Sequence, residues 1–153
     1  MYNSYSSNQD NMNLIEKKPP SGSKTIPKSG CLFLGDISSA KDVANLESKH
    51  IRCVLSAIEH EQAEFDDYEN ITHLVLPCED RCGQDISQHF EEAIEFIEEN
   101  LKVSNVLVHC YAGVSRSSTL VLCYLINSHK WSFWKAFSFL KTKRSIVFPN
   151  YGF

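Results

Sequence analysis

Two runs constrain the fold of this sequence more than any other feature. NVLVHC (105–110) is apolar at nearly every position, and so is the run STLVLCYLIN that follows Arg116. A strand apolar on both faces belongs inside a sheet covered on both sides, and a helix apolar all round must itself be buried. Between and around these runs the pattern alternates. CLFLGD (31–36), IRCVLSAI (51–58) and ITHLVLP (71–77) read as strands. SSAKDVANLESKH (38–50) reads as a helix behind a serine N-cap, and SFWKAFSFLKTKR (132–144) as a final amphipathic helix. ISQHFEEAIEFIEENL (86–101) places apolar residues at 86, 90, 93, 94, 97 and 101, a helix with a solvated acidic face. Strands alternating with helices predict an α/β fold, a central mostly parallel sheet flanked by helices, in a single domain.

Residues 1–28 stand apart. YNSYSSNQDNMN is almost free of aliphatics and KKPPSGSK is rich in proline and glycine, so 1–28 reads as a flexible polar arm and 29–153 as the folded domain. The chain of 153 residues is long enough for one core, and its net charge of −4 disfavours a nucleic-acid binder with a broad basic surface. No apolar run has the length of a membrane helix and no export signal precedes the domain. The expectation is a cytoplasmic or nuclear protein whose six cysteines are reduced thiols, with no nucleic-acid or membrane partner.

The chemistry concentrates where the buried strand ends. HCYAGVSRSS (109–118) carries a cysteine at the strand end, a short loop, and a helix start near Arg116. Such a junction points backbone N–H groups at one spot, at the positive end of a helix, and so forms an anion cradle from Tyr111, Ala112, Gly113, Val114, Ser115 and Arg116. Gly113 lets the loop curl and Ala112 leaves room for a ligand. Arg116 offers a planar fork to two phosphate oxygens. The same field favours the thiolate of Cys110, the nucleophilic form. Ser117 can donate to that sulfur when it becomes a leaving group. His109 either braces the loop or simply packs.

Displacing an alkoxide or phenoxide from phosphorus also needs a proton donor. LPCEDRCGQDI (76–86) offers Glu79, Asp80 and Asp85 on a loop between a strand and a helix, and Asp85 is placed to cap the helix at Ile86.

These residues resemble a family. HCYAGVSRSS matches the His-Cys-x5-Arg-Ser/Thr signature of the protein tyrosine phosphatase superfamily, and its AGVSRS form is most similar to the dual-specificity phosphatases. With LPCED and the closing PNYGF, the resemblance runs from about residue 30 to the end. It implies a protein tyrosine phosphatase-like fold, no metal or organic cofactor, and a phosphorylated protein as substrate. By resemblance the catalytic residues are Cys110, Arg116, Ser117 and, as general acid, Asp80, with Glu79 next in line. Asn150 falls on the family's Asn-x-Gly-Phe motif, a supporting position.

The implied reaction hydrolyses phosphotyrosine and phosphoserine or phosphothreonine monoesters through a phosphocysteine. Nothing in the chain supplies the loop that deepens the pocket of tyrosine-only relatives. Lipid phosphatases of the superfamily often carry lysines in the cradle, where this chain has Tyr111, Val114 and Ser115. A phosphoinositide phosphatase, an RNA phosphatase and a catalytically weak phosphate-binding module remain the alternatives. Some relatives protect their nucleophile with a disulfide, which makes Cys82–Cys110 a candidate redox pair, two unconnected thiols being the other reading. Zinc on Cys78 and Cys82 lacks a second ligand pair at suitable spacing. Lys141, Lys143 and Arg144 either attract a phosphorylated partner or complement the helix dipole. Relatives continue into one more helix after PNYGF, so that helix is expected to be absent here or trimmed.

Overall fold

NVLVHC becomes the middle strand of a five-stranded sheet in a computed structural model of the chain, which describes residues 11–17, 30–59 and 68–153. The strands are β1 (Met12–Lys17), β2 (Cys31–Gly35), β3 (Ile51–Ile58), β4 (Thr72–Pro77) and β5 (Asn105–His109), laid in the order β1-β2-β5-β3-β4. Strands β2, β5, β3 and β4 run parallel, and β1 joins β2 antiparallel. The α-helices are α1 (Ile37–Lys41), α2 (Val43–Ser48), α3 (Phe90–Leu101), α4 (Arg116–His129) and α5 (Phe133–Lys143).

Side chains alternate across β5 and divide the interior in two. Val106 and Val108 enter a large core with Ala93, Ile97 and Leu101 of α3, Leu120 of α4 and Leu140 of α5. Leu107 enters a smaller core with Met12, Ala40, Leu46, Ile51 and Val54. The sheet is therefore covered by α3, α4 and α5 on one face and by α1 and α2 on the other. Each fully buried leucine in these layers contributes about 2 kcal/mol of transfer free energy. This double cover is why β5 needs no polar face.

Three expectations are corrected. Residues 12–17, read as part of a flexible arm, form an edge strand whose Met12 and Ile15 are buried. A register shift between Leu14 and Glu16 absorbs one residue, so the buried positions fall three apart and no period of two appears. The remainder of that arm, 1–10 and 18–28, lies outside the described residues. The single helix read over 38–50 is two short ones, because Asp36 and Asp42 each cap a helix by accepting from the backbone N–H of Ser39 and Asn45. The helix read over 86–101 begins as a 3-10 turn, Ile86–His89, before α3.

Candidate active site

The carboxyl ends of β2, β5 and β3 meet where Gly35 and Ser56 lie in register with His109. Ligands bind at such strand ends in open α/β sheets. The loop from Cys110 to Ser115 curls there before α4 begins at Arg116.

Every carbonyl of that loop accepts a hydrogen bond from a residue outside the loop. The Cys110 carbonyl accepts from His109 Nδ1 (2.9 Å) and that of Tyr111 from the Ile37 N–H (3.0 Å). Ala112 and Gly113 carbonyls accept from Arg144 Nη2 (3.3 Å) and Nε (2.9 Å). The Val114 carbonyl accepts from the Phe148 N–H (2.7 Å) and Ser118 Oγ (2.6 Å), and that of Ser115 from Thr119 Oγ1 (2.8 Å). A trans peptide is planar and opposes its C=O to the following N–H, so carbonyls drawn outward leave N–H groups facing inward. Gly113 shows the result directly, since its N–H donates to Cys110 Sγ at 3.2 Å. Gly113 has φ +67°, and a Cβ there would lie 2.5 Å from the Gly35 carbonyl oxygen. No other residue type fits that space and conformation without strain.

Cys110 is buried, and its sulfur also accepts from Ser117 Oγ at 3.0 Å. Arg116 is buried on the first turn of α4. Its Nη1 donates to the Cys78 carbonyl (2.9 Å) and lies 4.0 Å from Glu59 Oε1, while its Nε is buried without a hydrogen-bond partner. His109 is fully buried, and burial pushes its pKa down to about 4, so the ring is neutral. With Nδ1–H given to the Cys110 carbonyl, His109 Nε2 accepts from Ser56 Oγ (2.5 Å), which in turn accepts from His73 Nε2 (2.7 Å). The Cys110 peptide group is thus braced by a chain of hydrogen bonds that crosses β3 to β4.

The loop after β4 carries the acidic candidates to different places. Asp80 is exposed and accepts from Asn150 Nδ2 at 2.7 Å. Asn150 in turn donates its backbone N–H to Ser115 Oγ (3.0 Å), which joins the Asp80 loop to the cradle. Glu79 is occupied by an ion pair with Arg81. Asp85 caps the turn at Ile86 by accepting from the Ser87 N–H (3.0 Å). Cys78 is buried, its thiol pushed up to about 11 chiefly by that burial. Cys82 is exposed, and its backbone packs against Gly152. All six cysteines are free thiols. Tyr111 follows Cys110 with 68% of its surface exposed.

Sequence reasoning missed four contributors: Arg144, Ser56, His73 and Glu59. The sequence groups Arg144 with Lys141 and Lys143 as a surface cluster, but Arg144 is turned inward and only 6% exposed. Its basic neighbours give no sign of this, because a last helical turn is ordinarily basic. Ser56 interrupts the aliphatic run of β3, and that interruption is the one signal available beforehand. Among the described residues no helix is long and apolar enough to cross a membrane.

Known proteins share both sequence and fold with this chain. Residues 32–153 match the dual specificity phosphatase catalytic domain. The chain is 38% identical over 125 residues to dual specificity protein phosphatase Mpk3 of Drosophila melanogaster, covering 81% of this chain and 30% of that protein. It is 37% identical to dual specificity protein phosphatase 22-A of Danio rerio, covering 80% of this chain and 58% of the relative. The chain thus spans only part of the length of these relatives. Among solved structures, DUSP15 superposes with a TM-score of 0.74 at 34% identity, covering 85% of this chain and 80% of that one. The human tyrosine phosphatase-like serine/threonine/tyrosine-interacting protein gives 0.74 at 30%, covering 79% and 84%.

Proposed function

The chain belongs to the dual specificity phosphatase family, and we propose that it hydrolyses phosphotyrosine and phosphoserine or phosphothreonine monoesters of proteins through a phosphocysteine. The observation that carries this reading is the Cys110 sulfur, buried and accepting from the Gly113 N–H and Ser117 Oγ, in a loop whose carbonyls are all held by residues outside it.

In the first step the Cys110 thiolate attacks phosphorus. Inward N–H groups and the Arg116 guanidinium hold the three equatorial oxygens, and the buried Arg116 Nε gains a partner from one of them. The P–O bond to the alcohol or phenol breaks as the S–P bond forms, and Asp80 gives its proton to the leaving oxygen. In the second step Asp80, now a carboxylate, takes a proton from water as that water attacks the phosphocysteine. The sulfur leaves as a thiolate with Ser117 Oγ already donating to it. No step requires a metal. A cytoplasmic or nuclear setting, which keeps thiols reduced, suits a reactive cysteine.

The test is hydrolysis of p-nitrophenyl phosphate in the presence of chelator. Cys110→Ser is expected to lower kcat by about 10³-fold or more, and Arg116→Lys by about 10²-fold, because a point charge cannot replace the fork. Activity of Cys110→Ser equal to the wild type overturns the thiolate mechanism. A second reading, a phosphate-binding interaction module with poor turnover, is favoured by the likeness to a protein named for interaction. Wild-type protein that binds phosphate and does not turn over p-nitrophenyl phosphate establishes that reading instead.

A further inference from the structure

Resting on the phosphatase reading, we propose that Arg144 is a positioning residue of the anion cradle, held in place by Asn13 of β1, so that the N-terminal strand takes part in catalysis. Asn13 lies outside the stretch that matches the family domain, which begins at residue 32.

Arg144 ends α5, where its backbone N–H donates to the Leu140 carbonyl (2.9 Å) and its carbonyl accepts from the Val147 N–H (3.3 Å). The main chain is therefore pinned and the side chain runs inward. All three guanidinium nitrogens are used: Nε on the Gly113 carbonyl (2.9 Å), Nη2 on the Ala112 carbonyl (3.3 Å) and Nη1 on Asn13 Oδ1 (2.9 Å). Two consecutive peptide groups of the cradle are thus gripped by one rigid fork. The Ala112 carbonyl shares its peptide plane with the Gly113 N–H, which donates to Cys110 Sγ. The Gly113 carbonyl shares its plane with the Val114 N–H and turns it to the opposite, concave side. Arg144 therefore acts on the nucleophile and the anion through peptide planes, without touching either.

Asn13 completes this arrangement. A buried cation is costly unless its donors are satisfied, and here the acceptors are two carbonyls and one amide. Burial presses the Arg144 pKa down, while the charges of Asp36 and an ionised Cys110 oppose that shift. Without the Asn13 oxygen, Nη1 loses its partner and the fork loses one of the three points that define its plane. Lysine at 144 keeps the charge and cannot grip two carbonyls and an amide at once.

The experiment measures kcat and KM for p-nitrophenyl phosphate together with the inhibition constant of inorganic phosphate, which reads the cradle independently of chemistry. Arg144→Lys is expected to lower kcat/KM and to weaken phosphate inhibition, each by about tenfold, the loss of one charge-assisted hydrogen bond. Asn13→Ala is expected to weaken both by about threefold, and Asn13→Asp, which keeps the acceptor, to restore both. In the Arg144→Lys background Asn13→Ala should add nothing further, because the two residues act as one unit. Unchanged phosphate inhibition in both folded variants, or effects that simply add, overturns the proposal. If Arg144→Lys does not fold, the Asn13 pair decides alone: equal loss in Asn13→Ala and Asn13→Asp overturns it. A wild type that binds phosphate but has no Cys110-dependent turnover defeats the phosphatase reading alone, since the Asn13 effects on phosphate binding are still read there.

Discussion

Asn150 holds Asp80 with its side chain and Ser115 with its backbone, so the proposed proton donor and the loop after Cys110 share one residue. Asn150→Ala removes the first link, together with the bond its Oδ1 accepts from the Gly152 N–H, and keeps the second. Its kcat is expected to fall by about tenfold on a phosphothreonine peptide and less on p-nitrophenyl phosphate. Nitrophenolate leaves without much help from an acid, whereas an alkoxide needs the proton. Equal losses on both substrates in steady-state kinetics would remove Asp80 from the acid role. Gly113→Ala tests the cradle itself. The added Cβ meets the Gly35 carbonyl oxygen at 2.5 Å in a residue with φ +67°, and the expected cost is about 2 kcal/mol or more in urea unfolding, with phosphate affinity lost. That Cys110 follows a buried strand, that Arg116 opens a helix and that Gly113 turns the loop between them was legible in the order HCYAGVSRSS. The carbonyl holders were not, because Ile37, Arg144 and Phe148 reach the loop only once the fold has formed.

At the level of elements, β1 changes most between the sequence and the fold. Its Met12 and Ile15 are buried, and its Glu16 accepts from Tyr124 OH (2.9 Å) and pairs with His129 Nε2 (2.7 Å), both on α4. Ile15→Ala is expected to destabilise the domain by about 2–4 kcal/mol in urea unfolding, the cost of truncating a core aliphatic. A change within about 0.5 kcal/mol would mean that the strand is the loose arm its composition suggests. The central strands were readable because β3 and β5 have two buried faces and need no partner to be recognised. An edge strand with one register shift has neither a continuous apolar run nor an alternating one. The break at Asp42 was hidden for a related reason. Aspartate in a helical pattern reads as a polar face until its carboxylate is seen to cap the next turn.

For the molecule as a whole, the buried His109 links stability to pH. Its pKa falls from 6.5 to about 4 on folding, so between those values the unfolded chain binds a proton that the folded chain refuses. Stability is complete above about pH 6.5 and drops as the pH falls toward about 4, by about 3 kcal/mol from this group, with His73 shifted in the same direction. Urea midpoints measured from pH 7.5 to 4.5 should show this fall in the wild type and a shallower one in His109→Gln. Parallel curves would place the titration elsewhere. The construction of the cradle has a consequence of a different kind. In the proposed reaction an oxyanion is gripped by the main chain, and the loop carbonyls are fastened by residues beyond the loop. The side chains of Tyr111, Ala112 and Val114 are thereby released from the task of holding phosphate. They form an exchangeable rim that can vary while the loop beneath stays in place.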